Sequence, residues 1–195
     1  MIEPRYKIKT EATFEAVDID RLKRNLHIGA QDEDDNTQDE YLQEILESVT
    51  DDVQTDIGRR LCQETWLGYL DDFPVENDDG NCEVDITLGP VIEVVGVQYY
   101  NSSNVKTVMS AADYTLDNTE LTARLRFLNT YPVYSDRLNA VEIEFTAGYQ
   151  SAGAVPKRIK DWIILEATNR YLNPENAKSE SKAAWMLRKF RVQRF

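Results

Sequence analysis

From Leu42 onward the apolar positions fall three or four residues apart: Leu42, Ile45, Leu46, Val49, Val53, Ile57 and Leu61. That is the repeat of an α-helix with one buried face, and acids occupy its other side. Thr37 followed by Glu40 fits a capping box, so the helix is predicted to start near Gln38. Gly58 offers a left-handed stop, although residues 59–61 could continue the helix at a cost of about 1 kcal/mol relative to alanine. A second helical repeat, Ile159, Trp162, Ile163, Ala167 and Tyr171, opens at Val155-Pro156 and stops at Asn173-Pro174. It is predicted to pack on the first. A short helix capped by Asp18 runs through Leu26, with Ile19, Leu22 and Leu26 on one side.

Between the long helices the period changes to two. Residues 84–88, 91–100, 114–116, 121–128 and 141–147 are rich in β-branched and aromatic side chains and are separated by Gly, Asn, Ser and Asp. They are predicted to be antiparallel strands of one small sheet. VEIEF, residues 141–145, alternates most cleanly, with Val141, Ile143 and Phe145 inward and Glu142 and Glu144 toward water. NSSN, residues 101–104, is a tight connection. Residues 64–73 alternate only loosely around Trp66 and Tyr69, and are taken as an aromatic extension of the long helix ended by Pro74. The pattern therefore gives an α+β chain: a helical bundle core of two long helices plus short ones, at 18–64 and 154–173, with an inserted antiparallel β region at 65–150. An extended N-terminal arm, 1–17, and a C-terminal docking tail, 174–195, flank it.

A length of 195 residues suits one domain with a large insertion. The apolar run 162–165 is far shorter than the roughly 18–20 residues that cross a bilayer, and the charged first ten residues are unlike a signal peptide, so no membrane partner is expected. Charge changes the picture more. Residues 151–195 carry ten Lys and Arg against four Asp and Glu, a local +6, whereas residues 1–150 carry twelve against thirty-one, or −19. An acidic body does not grip nucleic acid, and a basic tail calls for an acidic partner. The tail ends in WMLRKFRVQRF, residues 185–195, where rings and cations interleave. Stacking on nucleic-acid bases is one use of that pattern and docking in an acidic protein groove is the other; the repulsive body favours docking.

Candidate chemistry is sparse. Cys62 and Cys82 have no second ligand at metal spacing and are expected as reduced thiols. His27 ends a helix with no marked nucleophile beside it. Asp32, Asp34 and Asn36 occupy the first, third and fifth places of a calcium loop, but Thr37 and Gln43 stand where glycine and glutamate belong, which leaves a solvated loop. Asp71, Asp72 and Asp78 are the acids a hydrolase would draw on, yet a polar turn explains their setting. No enzyme activity, cofactor or metal is expected.

Several segments taken in order carry a resemblance: IDRLKRNLHI (19–28), DEYLQEILESVTDDVQTDIGRRL (39–61), QETWLGYLDDFP (63–74), ITLGPVIEVVGVQYYN (86–101), DYTLD (113–117), and VEIEFTAGY with VPKRIKDWIILEATNRYL (141–172). Together they resemble the head-tail connector, or adaptor, proteins of tailed double-stranded DNA bacteriophages, in the longer form with a β insertion. Gly89, where that family tends toward proline, and Asn173-Pro174-Glu175 are local departures. The resemblance implies a structural virion protein of the neck, made in the host bacterial cytoplasm. It would form a ring of twelve subunits under the portal and offer the stopper or tail-completion protein an attachment surface. DNA would pass through its channel without specific binding. The C-terminal segment would reach the portal, with Trp185, Arg188, Lys189, Phe190, Arg191, Arg194 and Phe195 as docking residues. Glu40, Glu44, Glu47, Asp51 and Asp52 would face either a neighbouring subunit or the channel. The alternatives are a stopper or tail-completion protein of the same neck, and a nucleic-acid-binding protein working through the tail.

Overall fold

The computed structural model describes residues 3–28, 36–77, 80–128, 131–176 and 184–191. Eight strands and three helices follow one another as β1 (Arg5–Thr10), α1 (Ile19–Leu26), α2 (Asn36–Ile57), β2 (Glu64–Leu70), β3 (Cys82–Ile86), β4 (Val91–Tyr100), β5 (Lys106–Val108), β6 (Tyr114–Asp117), β7 (Ala123–Phe127), β8 (Val141–Ala147) and α3 (Lys157–Leu172). The fold is α+β, as the pattern predicts. The chain divides into two compact units. A β-rich unit takes Gln63–Tyr149 with the N-terminal segment up to Thr13, and a helical unit takes Phe14–Cys62 with everything from Gln150.

In the β-rich unit a five-stranded antiparallel sheet has the order β1-β2-β8-β4-β5, and a three-stranded sheet the order β3-β7-β6. The single sheet expected from sequence is thus two. Val97, Val141, Ile143 and Phe145 of the larger sheet share one core with Val84, Ile86, Leu125 and Phe127 of the smaller. Phe73 joins them, stacked on Tyr131 at 4.5 Å and edge-on to Phe127 and Tyr134. The residues expected as an aromatic extension of the helix instead form β2, paired along its whole length with β8 from Glu64↔Ala147 to Leu70↔Val141. Its alternation was masked because Leu67 and Tyr69, on the outer face, are as apolar as Trp66 and Leu70 on the inner one. Within 1–17, expected as an extended arm, Arg5–Thr10 pairs antiparallel with β2. β5, three residues long, was not anticipated. Asn101 caps the turn before it, accepting from the amides of Ser103 and Val105 at 3.0 Å.

In the helical unit the predicted stripe is buried as expected: Leu42, Leu46, Val49, Val53 and Ile57 lie inside with Leu22, Ile159 and Ile163. Asp18 caps α1 by accepting from the Asp20 amide at 2.6 Å, and His27 closes it in a left-handed conformation at φ 56°. The histidine is a C-cap. Gly58, at φ 67°, ends α2, and the buried Gln54 carboxamide then accepts from the Leu61 amide at 3.0 Å. The Thr37 side chain lies outside the described residues. α3 packs on α2 as predicted: Arg170 reaches Asp52 at 2.5 Å and Ser48 at 3.1 Å, and Gln38 donates to the Tyr171 hydroxyl at 2.6 Å.

Candidate functional site

The five acids singled out on α2 do not share one environment. With 100° per residue, Glu40, Glu44, Glu47 and Asp51 fall on one line directly opposite the buried stripe, and all four are exposed. Asp52 lies to one side and is taken up by Arg170, which also holds the buried Glu166 at 3.3 Å. Along the outward line, Glu47 accepts from the Gln43 carboxamide at 3.1 Å and Asp51 from that of Gln54 at 3.3 Å. Among the described residues no cation pairs with any of the four. Like charges one turn apart repel by a few tenths of a kcal/mol per pair, so the helix carries this line against its own stability. Tyr41, 45% exposed, stands beside it.

The tail is divided in a different way. Leu187 is fully buried in the helical unit. Arg191 forms a forked pair with Asp56 near the end of α2, at 2.6 and 2.9 Å. The Phe190 ring lies 5.9 Å from the guanidinium of Arg59, itself buried, and 4.9 Å from the Lys189 ammonium, both within cation–π range. Phe190 and Arg191 therefore have partners in their own subunit. Trp185, 63% exposed, Arg188 and Lys189 face outward. Arg194 and Phe195 lie outside the described residues. The interleaving of rings and cations led to the expectation of a docking segment and did not show which of its residues pack on their own chain. Leu187, the first branched aliphatic residue of that segment, was the available signal for the inward side.

The remaining candidates are structural in setting. Asp71 accepts from Arg5 at 2.5 and 3.0 Å and from the Asn139 amide at 2.7 Å. The Arg5 guanidinium, helped by that amide, holds its carboxyl down at about 2, which suits a fixed anion and not a proton donor. Asp72 is within 3.4 Å of the Tyr134 hydroxyl, while Asp78 and the loop carrying Asp32 and Asp34 lie outside the described residues. Cys62 is buried and Cys82 half-buried, and neither is part of a disulfide. Among the described residues no group of His, Cys, Asp and Glu has the arrangement of a metal site, and no helix is long and apolar enough to cross a membrane.

No protein-family model matches the chain, and no curated protein does. Solved structures do resemble it. A chain in the neck of an empty gene transfer agent (GTA) particle computed with C6 symmetry superposes with a TM-score of 0.80 at 18% identity, covering 98% of this chain and 97% of that one. A chain in the virion of a native GTA particle gives 0.71 at 17%, covering 97% and 96%. A chain in the neck of a native GTA particle computed with C12 symmetry gives 0.69 at 16%, covering 98% and 97%.

Proposed function

We propose that this chain is a structural neck protein of a tailed phage or phage-like particle, and within the neck the head-tail connector that forms a ring beneath the portal. The observation that carries the reading is the likeness, over almost the whole of both chains, to proteins in necks computed with sixfold and twelvefold symmetry. The order of sequence segments supports it independently. A closed ring of identical subunits needs one face of each subunit to meet a different face of the next. The outward acid line on α2 is the candidate for one such face.

The portal anchor, in this reading, is the outward part of the tail. Trp185 supplies the apolar contact and Arg188 and Lys189 the charge, while Leu187 and Arg191 hold the segment on its own subunit. Replacing Trp185, Arg188 and Lys189 together by alanine is expected to abolish co-purification with the portal while leaving the circular dichroism spectrum unchanged; retained binding refutes the anchor. Electron microscopy of the purified protein, alone and mixed with portal, tests the larger claim. Rings that cap the portal are expected, and particles that neither close nor bind portal refute it.

A further inference from the structure

The ring reading leaves open what meets the acid line of α2, and the helical unit itself offers a complementary face. α3 turns Ile159, Ile163 and Arg170 toward the buried side and α2. Well around the same helix, Arg158, Leu165 and Leu172 recur every seven residues and are all exposed, the two leucines at 50% and 63%. Beside them, between α1 and α3, is a shallow groove of about 450 Å³ lined by Arg21, Arg24, Asn25, Asp161, Ile164 and Leu165. Arg21 is occupied by Asp161 at 2.5 Å. Arg24 and Arg158 are exposed and have no ion pair among the described residues.

We infer that this α1/α3 groove receives the acid line of α2 from a second copy of the chain. This rests on the ring reading and sharpens it. The occupant is chosen by charge and by shape. Glu40, Glu44, Glu47 and Asp51 repeat along one helix face with no cation among the described residues, and Arg24 in the groove and Arg158 at the head of the leucine row have no anion among them. Tyr41, beside the acids, keeps 45% of its surface exposed while its ring lies 6.2 Å from that of Tyr171. The two faces lie on different helices, so that one face of a copy can meet a different face of the next, as a head-to-tail contact requires. The acids are therefore subunit-boundary residues and do not line the channel.

Charge reversal tests this on the full chain, with ring formation read by analytical ultracentrifugation and electron microscopy, and folding by circular dichroism and melting. Glu44→Lys with Glu47→Lys, or Arg24→Glu with Arg158→Glu, should each raise the concentration needed for assembly by on the order of tenfold or more, because like charges then face each other. Both sets in one chain should restore assembly toward the wild-type concentration. The milder Glu44→Gln with Glu47→Gln should weaken assembly without disturbing the fold, and should make it less sensitive to salt. Rings that survive either reversal, or a combined variant that stays as weak as the single sets, overturn this contact while leaving the ring intact as a reading. A wild-type chain that forms no ring, alone or on the portal, overturns both.

Discussion

On the outer face of the five-stranded sheet each acid of β8 has a cation brought to it from another strand, Glu144 from Lys9 at 2.7 Å and Glu142 from Lys106 at 2.8 Å. On α2 four acids in succession have none among the described residues. The same composition is thus disposed of in two ways. In the β-rich unit Arg126 also meets Glu83 and Arg5 meets Asp71, so these acids are compensated one by one, although the unit as a whole holds seven cations against seventeen acids. Such pairs add little stability each, but a neutralised face attracts no charged partner. In the helical unit the bridges that do form, Arg21–Asp161, Lys23–Asp39 and Arg170–Asp52, tie helix to helix and leave the outward line of α2 uncompensated. The contrast leaves the outward acids of α2, unlike those of β8, without a cation among the described residues.

The two units also differ in how their interiors are filled, and the largest expected effect lies there. Phe73 touches four aromatic rings, from β4, β7 and the segment after β7. Phe73→Ala should cost about 3–5 kcal/mol in denaturant unfolding, the range for a buried phenylalanine. Hydrogen exchange sharpens the comparison. Strands of both sheets should lose protection together, whereas loss confined to β3, β6 and β7 would mean that the sheets do not share a core. In the helical unit the matching change is Leu187→Ala, expected to cost about 2–3 kcal/mol and to loosen the end of α2 where Arg191 and Asp56 meet. A cost near zero would show that the tail contributes nothing to its own subunit.

A smaller loss is expected at Gly89, where a Cβ would overlap the carbonyl oxygen of Leu121. The obstacle is backbone, which cannot swing aside as a side chain would. Gly89→Ala should destabilise by about 1–3 kcal/mol, the usual cost of overpacking. It should act on the β-rich unit alone, and equal exchange losses in α2 would contradict the division into two units.

What the sequence made legible follows the same divide. α1 and α2 were readable because each sets one apolar stripe against a polar remainder, and α3 because Ile159, Trp162, Ile163 and Ala167 keep the helical repeat although Leu165 and Leu172 lie outward; Asp18, Gly58 and Pro156 punctuate them. β8 was readable for the corresponding reason, its glutamates alternating with Val141, Ile143 and Phe145. β2 was not, since Leu67 and Tyr69 make its outer face apolar and erase the alternation. β1 was lost because Tyr6 and Ile8 are only two inward positions among cations, and β5 because three residues are too few to show a period. The acid line was legible as a pattern. Its division into four unneutralised acids and one bridged by Arg170 was not, because that depends on a residue 118 positions away.

The smallest effect concerns the node at which the β-rich unit cancels charge most completely. Asp71 is solvent-facing, yet the Arg5 guanidinium and the Asn139 amide hold its carboxyl at about 2, below the ordinary value of 3.8. A carboxyl depressed in the folded state contributes stability above its unfolded value and loses that contribution as pH falls through the folded one. The difference in stability between wild type and Asp71→Asn should therefore be constant from neutral pH down to about pH 4, narrow between about 4 and 2, and vanish below. Added salt should shrink it at neutral pH, because the Arg5–Asp71 pair is exposed and screened. Denaturant melts of both proteins across that range measure it. A difference that persists undiminished to pH 2 would mean that Asp71 acts through the hydrogen bond to Asn139, which asparagine retains in part, and that the pairing of charge on this sheet is incidental to its stability.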